Sequence, residues 1–307
     1  MTFGCLWTEI VPRMNSGEHY GAYAEDRTNQ DNVSGCAHVE SDQVFTTRRN
    51  PHPVHRSEES LLVKFPPNHS TRQLWREVRF VEPYPSGVVS VPEQIAGTSF
   101  FPGGSGVWCE GRSEVPPVPV GGIMILGHDF HSVAGYEWAR ANLAENLKSP
   151  TWRHLLTLLK DVPIPLDECF FTNVYMGLRE GTHTTGRFPG SRDRAFVERC
   201  RIFFNRQLRL QRPRVILCLG GFVPAFLAPL SRGLAEWTPG HSFGELDKRS
   251  VAVVLNARFH GADHTCPVVA LTHPCLRAVN VPRRRWQKNT GHSAELLMIR
   301  TALRPFP

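Results

Sequence analysis

The chain has 307 residues, 41% of them apolar, and a formal charge of +7. That apolar share suits a globular core, and the length allows one large domain or two small ones. The positive charge leans toward polyanionic partners such as nucleic acid. No apolar run reaches the roughly 18–20 residues of a bilayer-spanning helix, which excludes a membrane span.

The N-terminal stretch "MTFGCLWTEIVPRM" lacks a basic start and a long apolar core, so it does not read as a secretory signal. Residues 1–58 are polar and without periodicity, and are expected to be a weakly ordered appendage. The pattern firms up from Leu61, which sets a single domain over 59–307. "TRQLWREVRFVE" reads as a helix or a strand edge, and the Pro- and Gly-rich residues 84–121 read as loop. From Gly122, short apolar runs alternate with helical patterns. Strands are expected at 123–126, 169–172, 215–219 and 268–271, with an extra one at 251–255.

Helices are expected between these runs. One lies over "GYEWARANLAENL", and a second, "TWRHLLTLLKD", follows the cap Ser149 and Pro150. A third runs from the cap Ser191 to about Leu210, with Phe196, Cys200, Phe203 and Leu208 near one face. "GFVPAFLAPL" follows the third strand, and Ser293 opens the last helix, "AELLMIRTAL". Such alternation indicates an α/β sandwich of three layers around a mostly parallel sheet. The eight cysteines, at 5, 36, 109, 169, 200, 218, 266 and 275, form no C-x-x-C pair. They indicate reduced thiols in an intracellular protein, cytoplasmic or nuclear.

In a parallel sheet the chemistry collects at the carboxyl ends of the strands. The first strand ends in Gly127-His128-Asp129-Phe130-His131, and the second in Thr172-Asn173-Val174-Tyr175. The third ends in Gly220-Gly221, a tight turn, and the fourth in Thr272-His273-Pro274-Cys275. A carboxylate, an amide and an imidazole can therefore converge. Together they can position water, read a donor–acceptor edge and stabilise a developing anion. There is no phosphate-cradling glycine loop.

At these residues the chain resembles the uracil-DNA glycosylase superfamily, over about residues 100–303. "ILGHDFHS" resembles the motif G-Q-D-P-Y-H, with Asp129 on the aspartate. "FFTNVYMG" resembles the strand whose amide reads the base, which puts that role on Asn173. "RPRVILCLGGFV" resembles a strand of the iron–sulfur branches, and "LTHPCLRAVN" the H-P-S motif, with His273 on its imidazole. "GYEWA" resembles the loop whose aromatic ring stacks under the base, favouring Trp138 and then Tyr136. The resemblance implies a four-stranded parallel core sheet of order 2-1-3-4. This sequence departs from the pattern at His128, Phe130 and Cys275, where the family has Gln, Pro and Ser. Of the cluster ligands only Cys200 has a counterpart, and Gly177 stands where another Cys would be, so no cofactor is expected.

The implied reaction is hydrolysis of the N-glycosidic bond of uracil, or a related base, flipped out of DNA. The resemblance makes Asp129 and His273 catalytic: Asp129 positions water and His273 stabilises the departing anion. Asn173, Trp138, Tyr136, His128 and Phe130 contact the base. Residues 277–304 carry seven cations against the single acid Glu295. Arg277, Arg283, Arg284, Arg285 and Lys288 are expected to grip phosphates, with Leu276 or Arg277 as the wedge. The partner is then DNA, and a monomer suffices. A zinc site of His260, His264, Cys266 and Cys275 is disfavoured, because an apolar strand separates the two cysteines. The alternative function is a glycosylase-fold protein that binds DNA or a base without catalysis.

Overall fold

A computed structural model describes residues 71–100, 117–238 and 240–304. Contacts divide the chain into Met1–Ser60 and Leu61–Pro307, and every described residue belongs to the second unit. The expected weakly ordered segment 1–58 lies outside the described residues.

The stretch open between helix and strand is helical: Thr71–Glu77 forms α1 and a 3-10 turn continues it over Val78–Val81. The first sheet strand, β1, is Ile123–Gly127. Helix α2, Val133–Asn142, starts where the Ser132 hydroxyl accepts the Gly135 N–H, and stops at Leu143 in the left-handed region. Helix α3, Pro150–Asp161, is capped by Ser149 and has its proline at the first position, as the sequence indicates. Strand β2 is Cys169–Asn173. Helix α4, Arg194–Gln211, is capped by Asp193 rather than Ser191, which lies in the preceding turn Pro189–Arg192. The Asp193 carboxylate reaches the Phe196 N–H at 2.9 Å and satisfies a donor that the helix start leaves open.

Strand β3 is Val215–Leu219, followed by the short α5, Val223–Leu227. Helix α6, Phe243–Lys248, precedes β4, Val253–Phe259, and β5, His264–Leu271. Helix α7 is Arg277–Asn280. The last helix, α8, is Gly291–Leu303, so Ser293 lies inside its first turn rather than at its cap.

The sheet has five strands, in the order β2-β1-β3-β5-β4, and the extra strand expected at 251–255 is β4, which begins and ends later, at Val253–Phe259. The first four are parallel, and β4 pairs antiparallel with β5 at the edge. The extra strand arises because the turn His260–Ala262 is short, and an antiparallel partner needs no crossover. All of β3 is buried, as are the first four residues of β1 and β2. Successive side chains point to opposite faces, so both faces of the sheet are covered. Helix α8 packs against β3, β4 and β5, and Gln207 of α4 accepts a 2.7 Å hydrogen bond from Thr172 of β2.

A charged network lies within this packing. Arg284, 1% exposed, makes two 3.0 Å hydrogen bonds to Asp247 and one of 3.1 Å to Glu295, and donates to the Ala270 carbonyl. Glu295, on α8, also pairs with Arg277 and accepts the Thr272 N–H at 2.8 Å. It thereby fixes the backbone one residue before His273. Removing one member of a buried ionic group leaves the others uncompensated. Arg284→Met is expected to lower stability by about 3–5 kcal/mol in urea unfolding at pH 7. A change below about 1 kcal/mol would show that the network does not hold the α8–β5 packing.

Candidate functional site

Asp129 lies two residues beyond β1, and all of its acceptor sites are taken. Oδ1 accepts from Arg179 Nε at 3.1 Å and from the His131 N–H at 3.2 Å. Oδ2 accepts from Arg179 Nη2 and faces His128 Nδ1, both at 2.8 Å. A carboxylate has about four lone-pair positions, so none is left for a water. This corrects the water-positioning role expected of Asp129. Burial pushes its carboxyl up, but hydrogen bonds from His128 and Arg179 outweigh that and hold it below the usual carboxylate range.

Arg179 has no motif around it in the sequence. It is buried, and beyond Asp129 it donates to the carbonyls of Thr185, Gly186 and Arg187. One guanidinium thus ties the loop after β1 to the loop 180–188. The Arg179 N–H also donates to the His131 carbonyl at 2.8 Å, and His131 takes φ +78° within this path.

Asn173 ends β2 directly opposite Gly127. A Cβ at Gly127 would collide with Asn173 Oδ1, so the glycine makes room for the amide. The amide is half-buried and makes no side-chain hydrogen bond among the described residues. A half-buried amide without partners is open to a ligand edge.

His273 lies two residues beyond β5. The Cys275 N–H donates to its Nδ1 at 3.3 Å, and the Cys275 thiol is 2.9 Å from the same nitrogen. A backbone N–H only donates, so Nδ1 is the acceptor and the neutral ring carries its proton on Nε2. Burial lowers the His273 pKa below the ordinary 6.5, against the charge of Asp129, which raises it, while His128 lowers it further. The ring is therefore a neutral donor at pH 7. Gly220, at φ +97°, lies under it, where a Cβ would come within 3.3 Å of the His273 Cβ.

The aromatic expectations divide. Tyr136 is fully buried, bonded through its hydroxyl to the Glu93 backbone and packed edge-on against Phe100, so it cannot stack on a base. Phe130 is buried as well. Trp138 is exposed on α2. His128 stacks on Phe222 at 4.8 Å and meets Tyr175 edge-on at 5.3 Å. Phe222 is exposed directly after the Gly220-Gly221 turn, and no motif in the sequence marks it.

The basic run also divides. Arg277 and Arg284 are buried in the Glu295 network, which corrects their assignment to phosphates and removes Arg277 as a wedge. Leu276, Arg283, Arg285 and Lys288 are exposed. A cavity of about 450 Å³ lies beside the β3 turn, lined by Gly221, Ser242, Phe243, Asn280 and Arg283 among others. Asp129, Asn173 and His273 are not in its lining.

No three His, Cys, Asp or Glu side chains come together as a metal site among the described residues. His264 instead hydrogen-bonds the Pro213 carbonyl, and Cys266 is buried. Burial pushes the Cys200 thiol up to about 12, so it is no thiolate. No helix among the described residues is long and apolar enough to cross a membrane. No protein-family model matches the chain, and no curated protein matches it significantly.

The depressed Asp129 pKa has a consequence for stability. Its contribution is present above the ordinary value of 3.8 and is lost as pH falls through the lower folded value. Asp129→Asn is expected to cost about 3 kcal/mol at pH 7, because it strands the buried Arg179 charge. Chemical denaturation across pH should show this gap shrinking below about pH 4. A gap independent of pH would mean that the carboxylate charge is not what matters.

Proposed function

We propose that the chain is a DNA N-glycosylase that removes uracil or a related deaminated or modified base after flipping it from the helix. One observation carries the reading. An unpartnered amide, Asn173, and a neutral imidazole with its proton on Nε2, His273, stand at the carboxyl ends of strands of one parallel sheet, Asn173 on the strand beside the one that leads to Asp129. The succession β2-β1-β3-β5 among the parallel strands supports it, because it is the arrangement the motif resemblance implies.

The roles follow from the chemistry. Asn173 offers both a donor and an acceptor to the edge of the base. As the glycosidic bond breaks, its electron pair moves onto the base, and the His273 Nε2–H is a preorganised donor for that charge. A neutral donor suits the task, since it does not have to lose a proton to the product. Removing such a donor typically costs about 10²–10³ in rate. Exposed Leu276, ahead of α7, has the apolar side chain of a wedge, and Arg283, Arg285 and Lys288 stand nearby in sequence for phosphates.

A second reading has its own support. Arg179 neutralises Asp129, and Arg179 and His128 together occupy its oxygens, which favours a protein that binds a base or DNA without cleaving it.

Purified protein is incubated with single- and double-stranded oligonucleotides containing uracil, hypoxanthine, xanthine or hydroxymethyluracil, followed by alkali. Strand cleavage at the lesion is expected, reduced about 10²-fold or more in Asn173→Ala and in His273→Ala. Binding without cleavage on every substrate selects the second reading, and neither binding nor cleavage rejects both. Lys288→Ala is expected to weaken DNA affinity and to reduce the slope of log K against log salt by about 1. An unchanged slope would remove Lys288 from the interface.

A further inference from the structure

We propose that His128 Nε2 is the general base that holds and deprotonates the attacking water, with Asp129 as the positioning residue that orients it. This rests on the glycosylase reading above.

The assignment follows from which lone pairs remain at the strand ends. Hydrolysis needs a group that accepts a proton from water as the oxygen adds to C1′ of the sugar. Asp129 is excluded because Arg179, His131 and His128 occupy both of its oxygens. His273 is excluded because its accepting nitrogen faces Cys275 and its other nitrogen carries the proton. Asn173 has no basic atom. Tyr175 keeps its proton, because burial pushes its phenol up to about 12. The His131 ring is laid over Gly135 at the start of α2.

His128 differs from each of these. Its Nδ1 lies 2.8 Å from a carboxylate that has to accept, so Nδ1 carries the proton and Nε2 of the neutral ring has a free lone pair. Nε2 has no hydrogen-bond partner among the described residues. The ring is held from two further sides, by Phe222 against one face and by Tyr175 edge-on. With one face on Phe222, His128 offers its edge rather than an open stacking face. Its carbonyl accepts the Tyr175 N–H at 3.1 Å, which places it beside the chain that leaves Asn173.

The step balances without a co-reactant. A water hydrogen passes to Nε2 while the water oxygen bonds to C1′. The C1′–N bond breaks, and its electron pair leaves with the base. The base anion rests against His273 Nε2–H until it takes up a proton, and the proton on His128 returns to solvent or to the base. The carboxylate of Asp129 stabilises the imidazolium formed on the way.

The test is single-turnover base release by full-length wild type, His128→Ala, His128→Gln and Asp129→Asn on the substrate that wild type cleaves best. His128→Ala and His128→Gln are expected to slow release by about 10²-fold or more. Affinity for a non-hydrolysable substrate analogue is expected to stay unchanged. Added imidazole should restore part of the rate to His128→Ala and none to His128→Gln, whose side chain fills the space. In a parallel multiple-turnover assay, Asp129→Asn should lower kcat with little change in KM, measured where melting shows it folded. His128 variants at wild-type rate, or a glutamine variant as active as wild type, would overturn the assignment while leaving the glycosylase reading intact. A wild type that releases no base overturns both.

Discussion

The pairing of Asp129 with Arg179 is the constraint on which the site depends. Both side chains are almost withdrawn from solvent, at 8% and 5% exposure. Burying two charges costs several kcal/mol each, and their attraction offsets that only with good geometry and filled hydrogen bonds. Here the geometry is bidentate and the remaining donors are used. Arg179 spends them on three successive carbonyls of the loop 180–188, and its guanidinium lies over the Phe188 ring. Phe188 in turn stacks on Tyr175, and Tyr175 contacts His128. A single ion pair therefore sets the backbone path after β1 and, through the rings, one wall around His128.

Much of the architecture is legible in the sequence because it rests on local patterns. The four apolar runs at 123–126, 169–172, 215–219 and 268–271 lie in sheet strands, since strands covered on both faces have no polar alternation to obscure them. Ser149-Pro150 marks a helix start correctly because cap and first-turn proline act within a few residues. The errors also have local causes. Ser191 and Asp193 are both good caps two residues apart, and the carboxylate takes the role. The apolar run 251–255 marks only the first part of β4, because the strand continues through Asn256 and Arg258, which are exposed and break the apolar pattern.

The strand-end residues were legible and their partners were not. Asp129, Asn173 and His273 announce themselves by following apolar runs. Arg179 joins Asp129 across 50 positions, and Glu295 reaches Thr272 across 23. Nothing local marks such pairs. The charge count over 277–304 misled for the same reason: Arg277 and Arg284 look like part of a basic surface, yet their partners Glu295 and Asp247 neutralise them inside the fold. Fewer cations remain exposed than the sequence suggests.

Strand β4 closes one side of the sheet, and the manner of its closing matters outside the site. An edge strand presents a row of free backbone donors and acceptors on which another chain can add. In β4 that row is interrupted, since its pairing register with β5 shifts between Val254 and Ala257. The turn Arg232–Leu234 packs against the same place, with Gly233 close to the Val254 side chain and the Ala257 backbone. A bulge and a covering turn together make this margin a poor template for edge-to-edge association. The strand added beyond the parallel core thus guards the sheet against aggregation, and it does so at the edge farthest from β2, the strand that presents Asn173.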